Sequence, residues 1–209
     1  MAMNNPSRPS RVIGLLLAGG EGRRLGGRDK GMVPWQGRPM AAWVFAALST
    51  VASPVLISAN RSLDDYHALA PAPDQVFEDD TAVHGQGPLA GLLTGLRRAR
   101  AHGGTAALVC PCDTPEITPG ILANLVSAWQ AAPETAVIAE CEGRVHPLHG
   151  VYPVALVPLL EKQLQQGNRK VMAFAEAAGV QRVAFTDVSQ AFKNRNRPKD
   201  IEDNSTEGR

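Results

Sequence analysis

The residues most suited to chemistry sit in one glycine-rich, cationic stretch, Leu17 to Gly31, which reads L-A-G-G-E-G-R-R-L-G-G-R-D-K-G. Gly19, Gly20, Gly22, Gly26 and Gly27 alternate there with Arg23, Arg24, Arg28 and Lys30. Glycine lets a loop bring its backbone N–H groups close to a ligand, and successive N–H groups make a concave site for an anion. The cations add charge of the sign that phosphates need. A second feature is Asp113, boxed between Pro111 and Pro115 in C-P-C-D-T-P. A carboxylate so confined either caps the following turn or offers hard oxygen to Mg²⁺, which is usually held by one or two carboxylates plus substrate phosphates. With a phosphate loop in the same chain, the metal reading leads.

Further polar groups follow the same logic less sharply. Glu78, Asp79 and Asp80 come directly after the apolar pair Val76-Phe77. Acids there cap a loop or accept hydrogen bonds from N–H donors such as those on a guanine edge, and spacing does not choose. The Gly85–Gly91 segment is a second flexible loop leading into a helix start, again suited to phosphate or to nothing more than a turn. Asn194 and Asn196, at i and i+2, present polar groups together from an extended loop. The glycine stretch is neither a Walker A loop nor a G-x-G-x-x-G turn, because Leu25 stands where the last glycine would fall. Cys110, Cys112, Cys141, His146 and His149 lack paired zinc-ligand spacing and read as structural, with no partner base that would make a cysteine nucleophilic.

These groups need a scaffold that brings them together. Val12–Leu17 is short and wholly apolar, the pattern of a strand buried on both faces. Further short strands are expected at 55–59, 76–77, 105–109, 135–140, 148–152 and 180–186. Helices are expected at 39–51, 62–70, 88–102, 118–131, 154–166 and 169–178, with Pro39, Pro88 and Pro119 at helix starts and Ser62 and Thr118 as caps. Glu142-Gly143-Arg144 reads as a hairpin turn. Strands alternating with helices predict an α/β fold with a mostly parallel sheet and helices on both faces. Ligands bind such sheets outside the carboxyl ends of the strands. The strands preceding Ala18, Glu78 and Cys110 can share one such edge.

Length and charge limit the options further. At 209 residues the chain suits one domain with a full core. We expect residues 1–10 and 204–209 to be disordered, with one domain over 11–203. A net charge of +1 provides no global field toward nucleic acid or an anionic membrane. Three cysteines, an odd number, argue for a reducing compartment. No apolar stretch is long enough to span a bilayer. Arg8 and Arg11 before Val12–Ala18 imitate a secretory signal, but Glu21-Gly22-Arg23-Arg24 follows instead of a small-residue cleavage site. The expected location is the cytoplasm.

The stretch Leu17–Gly31 closely resembles the signature of the molybdenum cofactor guanylyltransferases. Glu78-Asp79, Gly87-Pro88-Leu89-Ala90-Gly91, Cys110 to Pro115, His146-Pro147, Val171-Met172 and Asn194-x-Asn196-x-Pro198 agree with it in the same order. The resemblance implies a single-domain, Rossmann-like three-layer sandwich of the nucleotide-diphospho-sugar transferase type. It implies transfer of GMP from GTP to molybdopterin with release of diphosphate, assisted by Mg²⁺ or by Mn²⁺ in its place. Leu17, Ala18, Gly19 and Gly20 would then hold the nucleotide, Lys30 and Arg24 the triphosphate, Asp79 the guanosine, and Asp113 the metal. Asn194 and Asn196 match residues implicated on the pterin side, which divides the chain into a nucleotide part (11–115) and a pterin part (116–200). Ser58 occupies a nucleotide-contacting position at which members of the family it resembles often carry asparagine; serine keeps hydrogen bonding but lacks the amide and its reach. The implied partners are the two substrates and proteins of molybdenum insertion and cofactor delivery, for a monomer or weak homo-oligomer. The alternatives are a related cytidylyltransferase using CTP, a sugar-phosphate nucleotidyltransferase, and a GTP-binding partner without turnover. Gly19, where cytidylyltransferases of this type carry alanine, leaves room compatible with a purine.

Overall fold

The protein is described by a computed structural model over residues 11–19 and 29–195. Gly20, Arg24 and Asn196, the expected terminal disorder and a short helix expected after Pro198 lie outside the described residues.

The first strand, β1 (Val12–Leu17), is an interior strand, third in a seven-stranded sheet. Its alternation explains its place. Ile13, Leu15 and Leu17 enter one hydrophobic cluster and Leu16 enters another, so both faces are covered. Burying each such leucine contributes about 1.5–3 kcal/mol. On one side β1 pairs in parallel with β4 (Val55–Ser58), and β4 with β5 (Val76–Phe77). On the other side it pairs in parallel with β6 (Ala106–Pro111). Between β1 and β4, the two-residue strands β2 (Pro34–Trp35) and β3 (Arg38–Pro39) form a separate small hairpin.

The far half of the sheet adds β7 (Val137–Cys141), β8 (Arg144–Pro153) and β9 (Gln181–Phe185), giving the order β5-β4-β1-β6-β8-β7-β9. β8 is the antiparallel exception, inserted between β6 and β7. The reason is local. Glu142 and Gly143 take φ values of 50° and 77°, the signature of a two-residue hairpin turn, and such a turn can only join antiparallel strands. All other strands of the sheet run the same way, so Leu17, Ser58, Phe77, Pro111 and Cys141 end on one edge.

Helices cover both faces, as a three-layer α/β sandwich requires. α1 (Met40–Ser49) and α4 (Pro119–Ala131) bury residues in one cluster; α3 (Pro88–Ala101), α5 (Val157–Gln165) and α6 (Val171–Ala177) bury theirs in the other. Thr118 caps α4 through a side-chain acceptor for the Ile121 N–H, as expected. Ser62 does not cap the short α2 (Leu63–His67): it adopts φ 50° and ψ 35°, so the chain reverses at the serine and its hydroxyl makes no cap bond. The helix expected from residue 154 opens instead as a 3₁₀ turn, Val154–Leu156, with Pro158 in the first turn of α5 where its missing N–H costs nothing. Among the described residues no helix is long and apolar enough to cross a membrane.

α3 packs on β1 so closely that a Cβ at Gly95 would come within 2.7 Å of Leu15 Cδ1. Gly95→Ala should therefore destabilise the protein by about 1–3 kcal/mol, outweighing the roughly 1 kcal/mol that alanine gains by helix propensity. Urea unfolding of the variant measures this; an equal or higher midpoint would contradict the packing.

Candidate active site

The edge at which the parallel strands end has a natural crevice. From β1 the chain order runs one way through β4 to β5 and the other way through β6, so connections diverge there, the arrangement in which open α/β sheets bind ligands. The end of β1 is fixed from both sides: the Ala18 N–H donates to the Ser58 carbonyl (2.8 Å) and the Cys112 N–H to the Leu17 carbonyl (3.0 Å). The single Ala18 donor is thus used within the fold.

On the β4 side, Asp79 is held in a closed network. Ser58 Oγ donates to its Oδ1 (2.9 Å), Asn60 Nδ2 donates to its Oδ2 (2.9 Å), and its own N–H donates to Asn60 Oδ1 (2.9 Å). Asp79 is 8% exposed, so the network excludes most water while each carboxylate oxygen keeps spare acceptor capacity. Two glycines let the backbone approach it. A Cβ at Gly91, in the first turn of α3, would lie 2.6 Å from Ser58 Oγ, and one at Gly19 would lie 2.9 Å from Asn60 Nδ2. Gly19, Ser58 and Asp79, far apart in sequence, are thereby brought together. Asn60 directly follows the strand expected over 55–59 and belongs to no motif. Its i+2 spacing from Ser58 was the available signal, since alternate residues of an extended chain share a side.

On the β6 side, Asp113 is 6% exposed. Its Oδ2 pairs with Lys30 Nζ, while its Oδ1 is buried with no hydrogen-bond partner among the described residues. An unmatched buried acceptor on a charged group carries a desolvation cost of about 1–3 kcal/mol or more, which a bound cation would remove. Both oxygens are hard donors of the kind Mg²⁺ prefers. Among the described residues no cluster of three or more His, Cys, Asp or Glu is arranged to hold a metal. A cation at Asp113 would accordingly draw its other ligands from substrate phosphates and water, which is how Mg²⁺ is commonly held.

Lys30 is aimed by its neighbour. It opens a 3₁₀ turn, Lys30–Met32, capped by Asp29, whose Oδ1 accepts from the Gly31 N–H (3.0 Å) and from the Tyr66 hydroxyl (2.8 Å). Burial, with Cys112 and Asp29 nearby, pushes the Tyr66 phenol far above its ordinary range, so it stays protonated as a donor. Asp29 Oδ2 is also buried without a partner among the described residues. Asp29 is another residue that the sequence reading passed over, although an acid just before a turn is a common cap.

The cysteines and histidines support this edge from beneath. Thr114, next to Asp113, shares a 3.0 Å hydrogen bond between its Oγ1 and His149 Nε2, and its hydroxyl also donates to the Pro111 carbonyl (3.3 Å). Burial, helped by His146, pushes the His149 pKa down to about 3, so the ring is neutral. Burial likewise pushes the Cys110 and Cys112 thiols up, which leaves them protonated and unreactive. His146 stacks on Phe192 with centroids 4.6 Å apart. Asn194 is exposed and follows Lys193, which lines a cavity of about 350 Å³ together with Arg144, His146 and Phe192.

Comparison with known proteins gives a consistent picture. Residues 14–182 match the MobA-like NTP transferase domain family. A molybdenum cofactor guanylyltransferase of Cereibacter sphaeroides is 42% identical over 191 residues, covering 91% of this chain and 94% of its own. A molybdenum cofactor guanylyltransferase of Pseudomonas fluorescens is 34% identical over 206 residues, covering 99% and 98%. Among solved structures, molybdopterin-guanine dinucleotide biosynthesis protein A from Archaeoglobus fulgidus shares the fold, with a TM-score of 0.72, 23% identity, and coverage of 91% of this chain and 95% of that one.

The neutral His149 makes stability depend on pH. Above its ordinary pKa of 6.5 the ring is uncharged in both folded and unfolded chains and has no effect. Below 6.5 the unfolded chain takes up a proton that the folded one refuses until about pH 3, so this residue's effect is to lower stability progressively over that window. The full loss is of the order of several kcal/mol. Denaturant titrations of His149→Leu should show a shallower decline between those limits than wild type; identical slopes would contradict the buried neutral ring.

Proposed function

The chain belongs to the MobA-like NTP transferase family, and from that membership we propose that it is a molybdenum cofactor guanylyltransferase, moving GMP from GTP to molybdopterin and releasing diphosphate. The observation that carries the chemistry is the buried Asp113 carboxylate, with Lys30 on one oxygen and the other oxygen unmatched, at the crevice edge of the sheet.

The reaction is a displacement at phosphorus. A terminal phosphate oxygen of molybdopterin attacks the α-phosphorus of GTP, a new P–O bond forms, and the bond to the bridging oxygen of diphosphate breaks. The attacking oxygen is already anionic, so no base has to remove a proton. The burden on the chain is to position three highly charged groups and offset their repulsion. A divalent cation held by Asp113, Mg²⁺ or Mn²⁺ in its place, would neutralise phosphate charge and fix the oxygens around the reacting phosphorus. Lys30 supplies a positive charge that exchanges its Asp113 contact for the triphosphate. Arg24 adds a second cation to the phosphates, and Gly20 extends the backbone contacts of Leu17, Ala18 and Gly19. Because the Ala18 N–H is already bonded to Ser58, Ala18 contributes through its carbonyl.

Asp79 holds the guanosine. The support is its fixed position, with one donor on each oxygen and acceptor capacity left for N–H groups of a base. Ser58 then acts through Asp79 and touches the nucleotide only secondarily. Asn194 and Asn196 bind the pterin, which occupies the side of the cavity bordered by Lys193. On this reading residues 11–115 serve the nucleotide and 116–200 the acceptor. The enzyme works in the cytoplasm as a monomer or weak homo-oligomer and hands its product to cofactor-delivery proteins.

Incubation with molybdopterin, Mg²⁺ and α-labelled GTP or CTP tests the proposal. Label should enter product from GTP and not from CTP; transfer from CTP alone would identify a cytidylyltransferase. Asp113→Asn should lower kcat about 100-fold or more while leaving the thermal transition within a few degrees. Near-normal turnover by the folded variant would remove Asp113 from the mechanism.

A further inference from the structure

Between the two asparagines proposed to bind the acceptor stands Arg195, a residue with no assigned role and a buried side chain. Arg195 is 8% exposed, whereas Asn194 beside it is exposed. The chain is extended just before it, with Lys193 at φ −77° and ψ 116°. The Arg195 side chain therefore turns into the fold while Asn194 beside it stays at the surface. Three contacts hold it. Its backbone N–H donates to the carbonyl of Asp113 (2.9 Å). Its Nε (3.0 Å) and Nη2 both donate to Glu116 Oε2, and Glu116 lies three residues after Asp113. Its guanidinium lies 4.4 Å over the ring of Trp35, which is itself buried and accepts a 2.8 Å hydrogen bond from Trp43 Nε1 on its carbonyl.

We infer that Arg195 is a positioning residue for the acceptor substrate, locking the segment that bears Asn194 to the loop that bears Asp113. This rests on the proposal that the segment binds molybdopterin. The physical case is that transfer requires the acceptor phosphate to approach a phosphorus held near Asp113. Asp113 and Asn194, 81 positions apart in sequence, must therefore keep a fixed separation, and misplacement by about 1 Å costs up to about 100-fold in rate. Arg195 is a direct bond between their two segments. Its planar fork meets the Glu116 carboxylate while its face lies on an indole, and lysine cannot reproduce that combination. The nucleotide-side network of Ser58, Asn60 and Asp79 shares no hydrogen bond with Arg195, so the two substrates should respond differently.

The test varies each substrate separately in steady state for wild type, R195M, R195K and E116Q. For R195M the KM for molybdopterin should rise about tenfold or more, with the KM for GTP changed less than about twofold. Binding of GTP alone, followed by tryptophan fluorescence, should match wild type. R195K should recover less than half of the loss on a logarithmic scale, because it restores charge without the fork. E116Q should move the molybdopterin KM in the same direction, and the double variant E116Q/R195M should be little worse than R195M, since both remove one interaction. A folded R195M or R195K with an unchanged molybdopterin KM, or with both KM values rising in parallel, would overturn the inference. Failure of the underlying reading would show differently: wild type itself would not use molybdopterin as acceptor.

Discussion

A buried carboxylate with one unmatched oxygen is tolerable only where its surroundings cannot relax around it, and most of the polar structure at the sheet edge converges on that requirement at Asp113. The residue before it, Cys112, is bonded to the end of β1 through the Leu17 carbonyl. The residue after it, Thr114, is held by His149 from the antiparallel strand β8. Its own carbonyl accepts from Arg195, and its carboxylate pairs with Lys30. Four separate segments thus meet at Asp113 and its two neighbours. The desolvation cost of the free Oδ1 is offset by the packing and hydrogen bonding of those segments, which is a common way for a fold to keep a reactive acceptor in place.

The same economy appears across β1. Asp79 is fixed by Ser58 and Asn60, and the Asn60 amide bonds it twice. Ser58 leaves no gap beside Asp79: its hydroxyl is 2.9 Å from the carboxylate, and Gly91 leaves the space around it. Gly19 also gains a structural explanation. An alanine there would press on the Asn60 amide, so the glycine protects the support of Asp79.

Much of the architecture was legible because its signals are local. The apolar run Val12–Leu17, the proline-opened helices α3 and α4, the Thr118 cap and the Glu142-Gly143 turn all follow from steric and hydrogen-bonding preferences within a few residues. Where the structure departs from expectation, a nearby constraint overrode a propensity: Ser62 turns the chain instead of capping it, and Pro158 delays α5 behind a 3₁₀ turn. The site was legible residue by residue, in the sense that Lys30, Asp79 and Asp113 stand out as charges beside strand ends. Asn60, Asp29 and Arg195 did not, because each acts through a partner remote in sequence: Asp79, Tyr66 and Glu116.

By itself, then, the sequence determined the α/β class, the position of the phosphate-suited stretch and the family signature, since these depend on residue type and short spacing. Only the tertiary structure decided which charges meet. The pairing of Lys30 with Asp113 spans 83 positions, that of Arg195 with Glu116 spans 79, and nothing in local composition ranks those partners above other acids and bases in the chain. Their meeting follows from the parallel strands ending on one edge and from the antiparallel β8, which together set the distances at which opposite charges can find each other. The glycine-rich stretch supplies the cation; the fold supplies the carboxylate that it faces.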